Sequence, residues 1–190
     1  MAVEQGRNDY KVAAVIAKAM ADLKSYQAKA EVERGIAIDV NTGEILYDAT
    51  GDATHLDVSG GFGDDRMPLG IAGKARFMAA QHRSVLDIHT HVAGQSMSAR
   101  DWGAFMLPQI VECRLITDDA VYVLRKTDAF ARLPEMVVTP QAVKAKYNYL
   151  YDKWVAKTGG DKTQTSVAAT IETSKEMARE LVCVLEVMQR

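Results

Sequence analysis

Apolar residues near the start of the chain recur every three or four positions: Val12, Ile16, Met20 and Leu23 share one stripe, with Lys18, Asp22 and Lys24 off it. That period predicts an amphipathic helix over Asp9 to Ala28. The pattern then changes. Arg34 to Val40 (RGIAIDV) and Glu44 to Tyr47 are β-rich runs joined by Asn41-Thr42-Gly43, the signature of a hairpin. From Asp57 to Gly70 the chain is glycine-rich and without period, which predicts a surface loop of the kind that often carries substrate contacts.

Further on, the pattern predicts a helix over Ala72 to His82, a short buried strand over Ser84 to Ile88 and a helix from Ser98 to about Gln109. A second hairpin follows, Arg114 to Thr117 with Val121 to Arg125, turning at Asp118-Asp119. After Pro134 and Pro140, helices are expected over Gln141 to Lys157 and Thr165 to Met188, divided by Gly159-Gly160. In the second, Ala178, Leu181, Val182, Leu185 and Met188 repeat at helical spacing. Interleaved helices and strands make the class α/β or α+β. At 190 residues the expectation is a single domain, 1–190, with a helical extension over 141–188.

Composition narrows the function. With 48% hydrophobic and 25% charged residues the chain can bury a core, which excludes disorder. Its 23 basic residues against 25 acidic ones give a net charge of −2, too balanced to recruit nucleic acid through phosphate neutralisation. Cys113 and Cys183 stand 70 positions apart without paired spacing, so a disulfide scaffold or cysteine zinc knuckle is not expected, and both read as small core residues. Met1 to Tyr10 is polar and lacks the pattern of a secretory signal, and no window approaches ~20 uninterrupted apolar residues, so a cytoplasmic protein with no membrane partner is expected.

The distinctive chemistry lies between Leu86 and Trp102 (LDIHTHVAGQSMSARDW). His89 and His91, at i and i+2 on an extended run, project from one face and can converge on a point. Ser98 followed by Asp101 is a helix-start pattern, placing a carboxylate in the first turn where it can reach back to the strand end. Two imidazoles with one carboxylate match a three-ligand zinc site that keeps a fourth position open. Elsewhere, Gly60-Gly61-Phe62-Gly63 fails as a dinucleotide fingerprint because Arg66 occupies the last glycine position. His55 falls in a polar connection and His82 at a helix end, neither with a metal role.

On these residues the sequence resembles the JAMM/MPN+ (JAB-domain) zinc metalloproteases, the fold of zinc deubiquitinases and of many bacterial and phage-encoded relatives. The resemblance covers about Glu31 to Lys126: His89-Thr90-His91, the run Ser98-Ala99-Arg100-Asp101, the hairpin D-x-x-T-G-E-I-L beginning at Asp39, and a closing hairpin over Leu115 to Leu124. It implies a central β-sheet flanked by helices, Zn²⁺ held by His89, His91 and Asp101, and Ser98 positioning the substrate carbonyl and its oxyanion. The family's water-activating glutamate would be Glu33, with Glu31 the rival of equal strand parity. Hydrolysis of a peptide or isopeptide bond is implied, on a ubiquitin-like or other protein substrate. Val92 stands where the family usually has Pro, and the loop to Ser98 is one residue shorter.

Two other classes compete. Asp87-Ile-His89-Thr-His91 also looks like the opening motif of PHP or amidohydrolase-type barrels, but no histidine follows in the remaining 99 residues. A zinc deaminase would need His-x-Glu and Pro-Cys-x-x-Cys, both absent. The non-enzymatic alternative is a catalytically inactive MPN-type scaffold whose terminal helices supply assembly contacts, including those of a homo-oligomer.

Overall fold

The protein is described by a computed structural model over residues 2–29, 32–50, 70–91, 95–158 and 162–190. Helix α1 (Ala2–Gln27) precedes the hairpin of β1 (Arg34–Asp39) and β2 (Ile45–Thr50). Then come α2 (Gly70–Ala79), β3 (Val85–Thr90), α3 (Ala99–Phe105), β4 (Ile110–Ile116) and β5 (Ala120–Lys126). The chain continues through α4 (Pro140–Thr158), α5 (Lys162–Glu180) and β6 (Cys183–Gln189). The class is α+β.

The first hairpin forms where its residues dictate. Asp39 Oδ1 accepts from the backbone N–H of Asn41 at 2.8 Å and of Thr42 at 3.3 Å, a side chain imitating a turn. Gly43 then takes φ +75°, a left-handed conformation that costs glycine little, and its N–H closes the loop on Asp39 O at 2.8 Å.

The strands build one six-stranded sheet in the order β2-β1-β3-β4-β5-β6. Among the described residues only β3 and β4 run parallel, and their crossover is α3. Central β3 is buried at all six positions, because both faces of the sheet are covered. On one face, Leu23 and Ala19 of α1 pack over Ile36, Ile38, Leu86 and Ile88. On the other, α3, α4 and α5 bring Trp102, Phe105, Leu150 and Met177 against Cys113, Leu115 and Leu124. Trp102 and Phe105 meet edge to face at 6.0 Å and are fully buried. Truncating either to Ala would cost about 3–5 kcal/mol, so they tie α3 firmly to the sheet.

Two expected elements are corrected. The helix from Ser98 ends at Phe105 rather than near Gln109, since Pro108 lacks an N–H and disfavours helical geometry at Leu107. The helix expected over Thr165 to Met188 stops at Glu180, and residues 183–189 form edge strand β6 against β5. Leu185 and Met188 fit a helical stripe by spacing, but CVLEVMQ also suits a strand, and the open side of β5 supplies the pairing that decides it. The expected loop over residues 57–69, with His55, Glu31, Val92 and Gly159-Gly160, lies outside the described residues. Among the described residues no helix is long and apolar enough to cross a membrane.

Candidate metal centre

Asp87 and His89 alternate with Leu86 and Ile88 along β3, so the polar pair points to the face covered by α3, α4 and α5. His91 follows just past the strand end, its N–H donating to Ile116 O at 3.0 Å. Gln27 at the end of α1 donates from Nε2 to His91 O at 2.8 Å, which fixes that backbone from the other side. The two imidazoles lie with centroids 5.2 Å apart.

Asp101 reaches them from the first turn of α3. Ser98 is the N-cap: its Oγ accepts from Arg100 N at 3.2 Å and Asp101 N at 3.3 Å, while its own N–H donates to Asp101 Oδ2 at 2.6 Å. This reciprocal capping box settles the Asp101 rotamer. Asp101 Oδ1 is then 3.4 Å from His89 Nε2, and Oδ2 is 3.3 Å from His91 Nε2. Ligand atoms of His89, His91 and Asp101 all fall within 4.8 Å of one another.

The second nitrogen of each ring is already engaged. His89 Nδ1 lies 2.8 Å from Asp87 Oδ2, and His91 Nδ1 lies 3.2 Å from Gln95 O. A carboxylate and a carbonyl only accept, so both rings carry a proton on Nδ1, and their Nε2 atoms are the ones turned to Asp101. Metal-binding histidines are oriented in this way. Among the described residues His89 Nε2 is buried with no well-formed hydrogen bond, Asp101 standing at ion-pair distance, 3.4 Å. A cation among the three groups satisfies that orphaned atom, and the donor set of two imidazoles and a carboxylate suits a divalent metal.

Electrostatics agree with the need for positive charge. Burial pulls the His89 imidazolium down, but the charge of Asp87 and hydrogen bonding to Asp101 and Asp87 outweigh it, leaving His89 well above its ordinary value. Burial raises Asp101, yet His91 and His89 bring it well below the usual carboxylate range.

Of the sequence-derived site residues, His89, His91, Asp101 and Ser98 are brought together. Glu33, just before β1, joins them with Oε1 4.0 Å from His91 Nε2. His82 is exposed in the turn before β3, away from the cluster.

Three participants were given no role at this site by the sequence. Asp87 receives three donors, Tyr47 Oη at 2.7 Å, His89 Nδ1 at 2.8 Å and Cys113 Sγ at 3.3 Å. Its strand parity with His89 was a usable signal. Cys113 and Tyr47 reach it only through sheet register, with Asp87 opposite Cys113 across β3 and β4. Burial pushes the Cys113 thiol up to about 12, so it serves as a neutral donor. Asp87, His89 and Cys113 are themselves close enough to hold a metal, although the Asp87 contact to Nδ1 is already a good hydrogen bond. Tyr147 of α4 keeps a buried hydroxyl with no hydrogen-bond partner among the described residues, raised by burial and by the charge of Asp101.

No family model, curated protein or solved structure matches the chain.

Proposed function

We propose that the chain is a zinc-dependent hydrolase of peptide or isopeptide bonds, of the JAMM type. The observation that carries this reading is the convergence of His89 Nε2 and His91 Nε2 on the two oxygens of Asp101, at 3.4 and 3.3 Å, with each Nδ1 held by an acceptor. Zinc bound by these groups would supply Lewis acidity and bring the pKa of water towards ~7.

The remaining work belongs to the chain. Glu33, beside His91, is placed to take a proton from the attacking water at Oε1 and return it to the leaving amine, a role that contributes ~10²- to 10⁴-fold. Ser98 Oγ accepts two backbone hydrogen bonds and keeps its own O–H to donate to the oxyanion that develops on the scissile carbonyl, worth ~10²- to 10³-fold. The substrate class is an extended tail of a ubiquitin-like protein joined to a lysine, or a related peptide. Two free cysteines, Cys113 and Cys183, suit a reducing cytoplasm, which completes the proposal.

The test combines metal analysis with cleavage of a panel of ubiquitin-like fusions. Wild type and Glu33→Gln should each hold zinc, with turnover only in wild type; His91→Ala and Asp101→Ala should lose both. Full turnover in Glu33→Gln would move the base to Glu31 or end the mechanism. Failure of wild type to take up added zinc would leave the scaffold reading.

A further inference from the structure

Residues 95–98, which supply Gln95 O to His91 and the Ser98 cap to Asp101, are held from behind by α5, a helix outside the region that carries the family resemblance. Gln95 Nε2 donates to Ser166 Oγ at 3.1 Å, and Ser166 Oγ is also 3.1 Å from Tyr151 Oη. Ser96 N donates to Thr170 Oγ1 at 3.3 Å, and Ser96 Oγ donates to Ser174 Oγ at 3.1 Å. Ser174 in turn donates to Met97 O at 3.4 Å and accepts from Trp102 Nε1 at 3.5 Å. Ser166, Thr170 and Ser174 stand four apart, so they line one face of the helix.

Ser96 and Ser174 are fully inaccessible to solvent. Burying hydroxyls between a helix and a loop costs free energy unless each is satisfied, whereas apolar side chains would fill the same space without that demand. Hydrogen bonds do what apolar packing does not: they set the direction of a backbone carbonyl. The carbonyl of Gln95 must point at His91 Nδ1 for the Nε2 lone pair to face Asp101, and the side chain of Gln95 is anchored to Ser166.

We propose that the Ser166–Thr170–Ser174 row of α5 is a positioning element for the metal centre, keeping Gln95 O on His91 and the Ser98 cap under Asp101. This rests on the metal-site reading above. The hydroxyls touch no reacting atom; they act through Gln95 and the cap.

Zinc itself is the probe, titrated against a chelating indicator into the full-length chain, with the unfolding midpoint of the EDTA-treated protein measured alongside. Ser166→Ala and Gln95→Ala should each weaken zinc binding ~10- to 100-fold. The double variant should be no weaker than either single one, because both remove the same contact. Ser166→Thr, which keeps the hydroxyl, should restore affinity. The metal-free midpoint of Ser166→Ala should stay within about 2 °C of wild type, as for a half-buried contact.

Wild-type zinc affinity in both single variants would overturn the proposal and leave the metal site standing. Loss of metal-free stability in step with affinity, without rescue by Ser166→Thr, would reduce the row to packing and also overturn it. A wild type that binds no zinc would remove the underlying reading itself.

Discussion

Asp87 and His89, two residues apart on one face of β3, are joined by a 2.8 Å contact from Nδ1 to Oδ2 in a fully covered part of the sheet. In the neutral ring the contact puts the proton on Nδ1 and leaves Nε2 free to ligate. In Asp87→Asn the amide can present an NH₂ group to Nδ1, favouring the opposite tautomer and protonating the Nε2 that should ligate. Zinc affinity should fall ~10- to 100-fold in a competition titration. Unchanged affinity would mean that the tautomer is fixed by some other group.

Ser98 has a structural role separable from any catalytic one. Removing its hydroxyl strands the N–H groups of Arg100 and Asp101, so Ser98→Ala should destabilise the metal-free protein by about 1 kcal/mol in urea unfolding. Ser98→Thr retains a capping oxygen and should lose less. If Ser98 also donates to the oxyanion, zinc-loaded Ser98→Ala should show kcat reduced ~10²- to 10³-fold, far beyond what the cap explains.

Val182 joins α5 to β6 with φ +47°, a left-handed conformation that a β-branched residue adopts only under constraint. The position follows a helix end, where glycine is the usual occupant. Relief of about 1–2 kcal/mol of steric cost, less glycine's added unfolded-state entropy, should make Val182→Gly more stable by about 0.5–1 kcal/mol. A raised urea midpoint with unchanged slope is the expected result. A lowered midpoint would show that the Val182 side chain contributes more than the strain costs.

Burial lowers the Lys126 ammonium to about 7, although Nζ donates to Leu107 O at 2.7 Å and lies 5.1 and 5.2 Å from the Phe105 and Phe130 ring centroids. In the unfolded chain the same group titrates near ~10.4. Between those values the unfolded state binds more protons, so this residue makes stability rise with pH, by at most about 1.4 kcal/mol per unit. Below about 7 both states are protonated and its destabilising effect is complete and constant. Lys126→Met removes the titration. Unfolding free energies measured from pH 7 to 9.5 should therefore rise less steeply in the variant than in wild type, and parallel curves would refute the shift.

Local chemistry makes much of this protein legible in the order of its residues. The Asp39–Gly43 turn, the shared face of His89 and His91, and the Ser98–Asp101 cap each depend on residues within a few positions of one another, where backbone geometry leaves few choices. Local pattern misleads at residues 183–189, whose apolar spacing suits two periods.

The sequence by itself determined the candidate ligand residues, their strand parity and the helix start that carries Asp101, because short-range sterics and hydrogen bonding act without knowledge of distant partners. Only the tertiary structure decided that Cys113 and Tyr47 close on Asp87, that α5 braces Gln95, and that β6 is a strand. Those outcomes depend on sheet register and on which edge is left to pair, and such contacts between distant segments form only when the whole chain buries its apolar faces together.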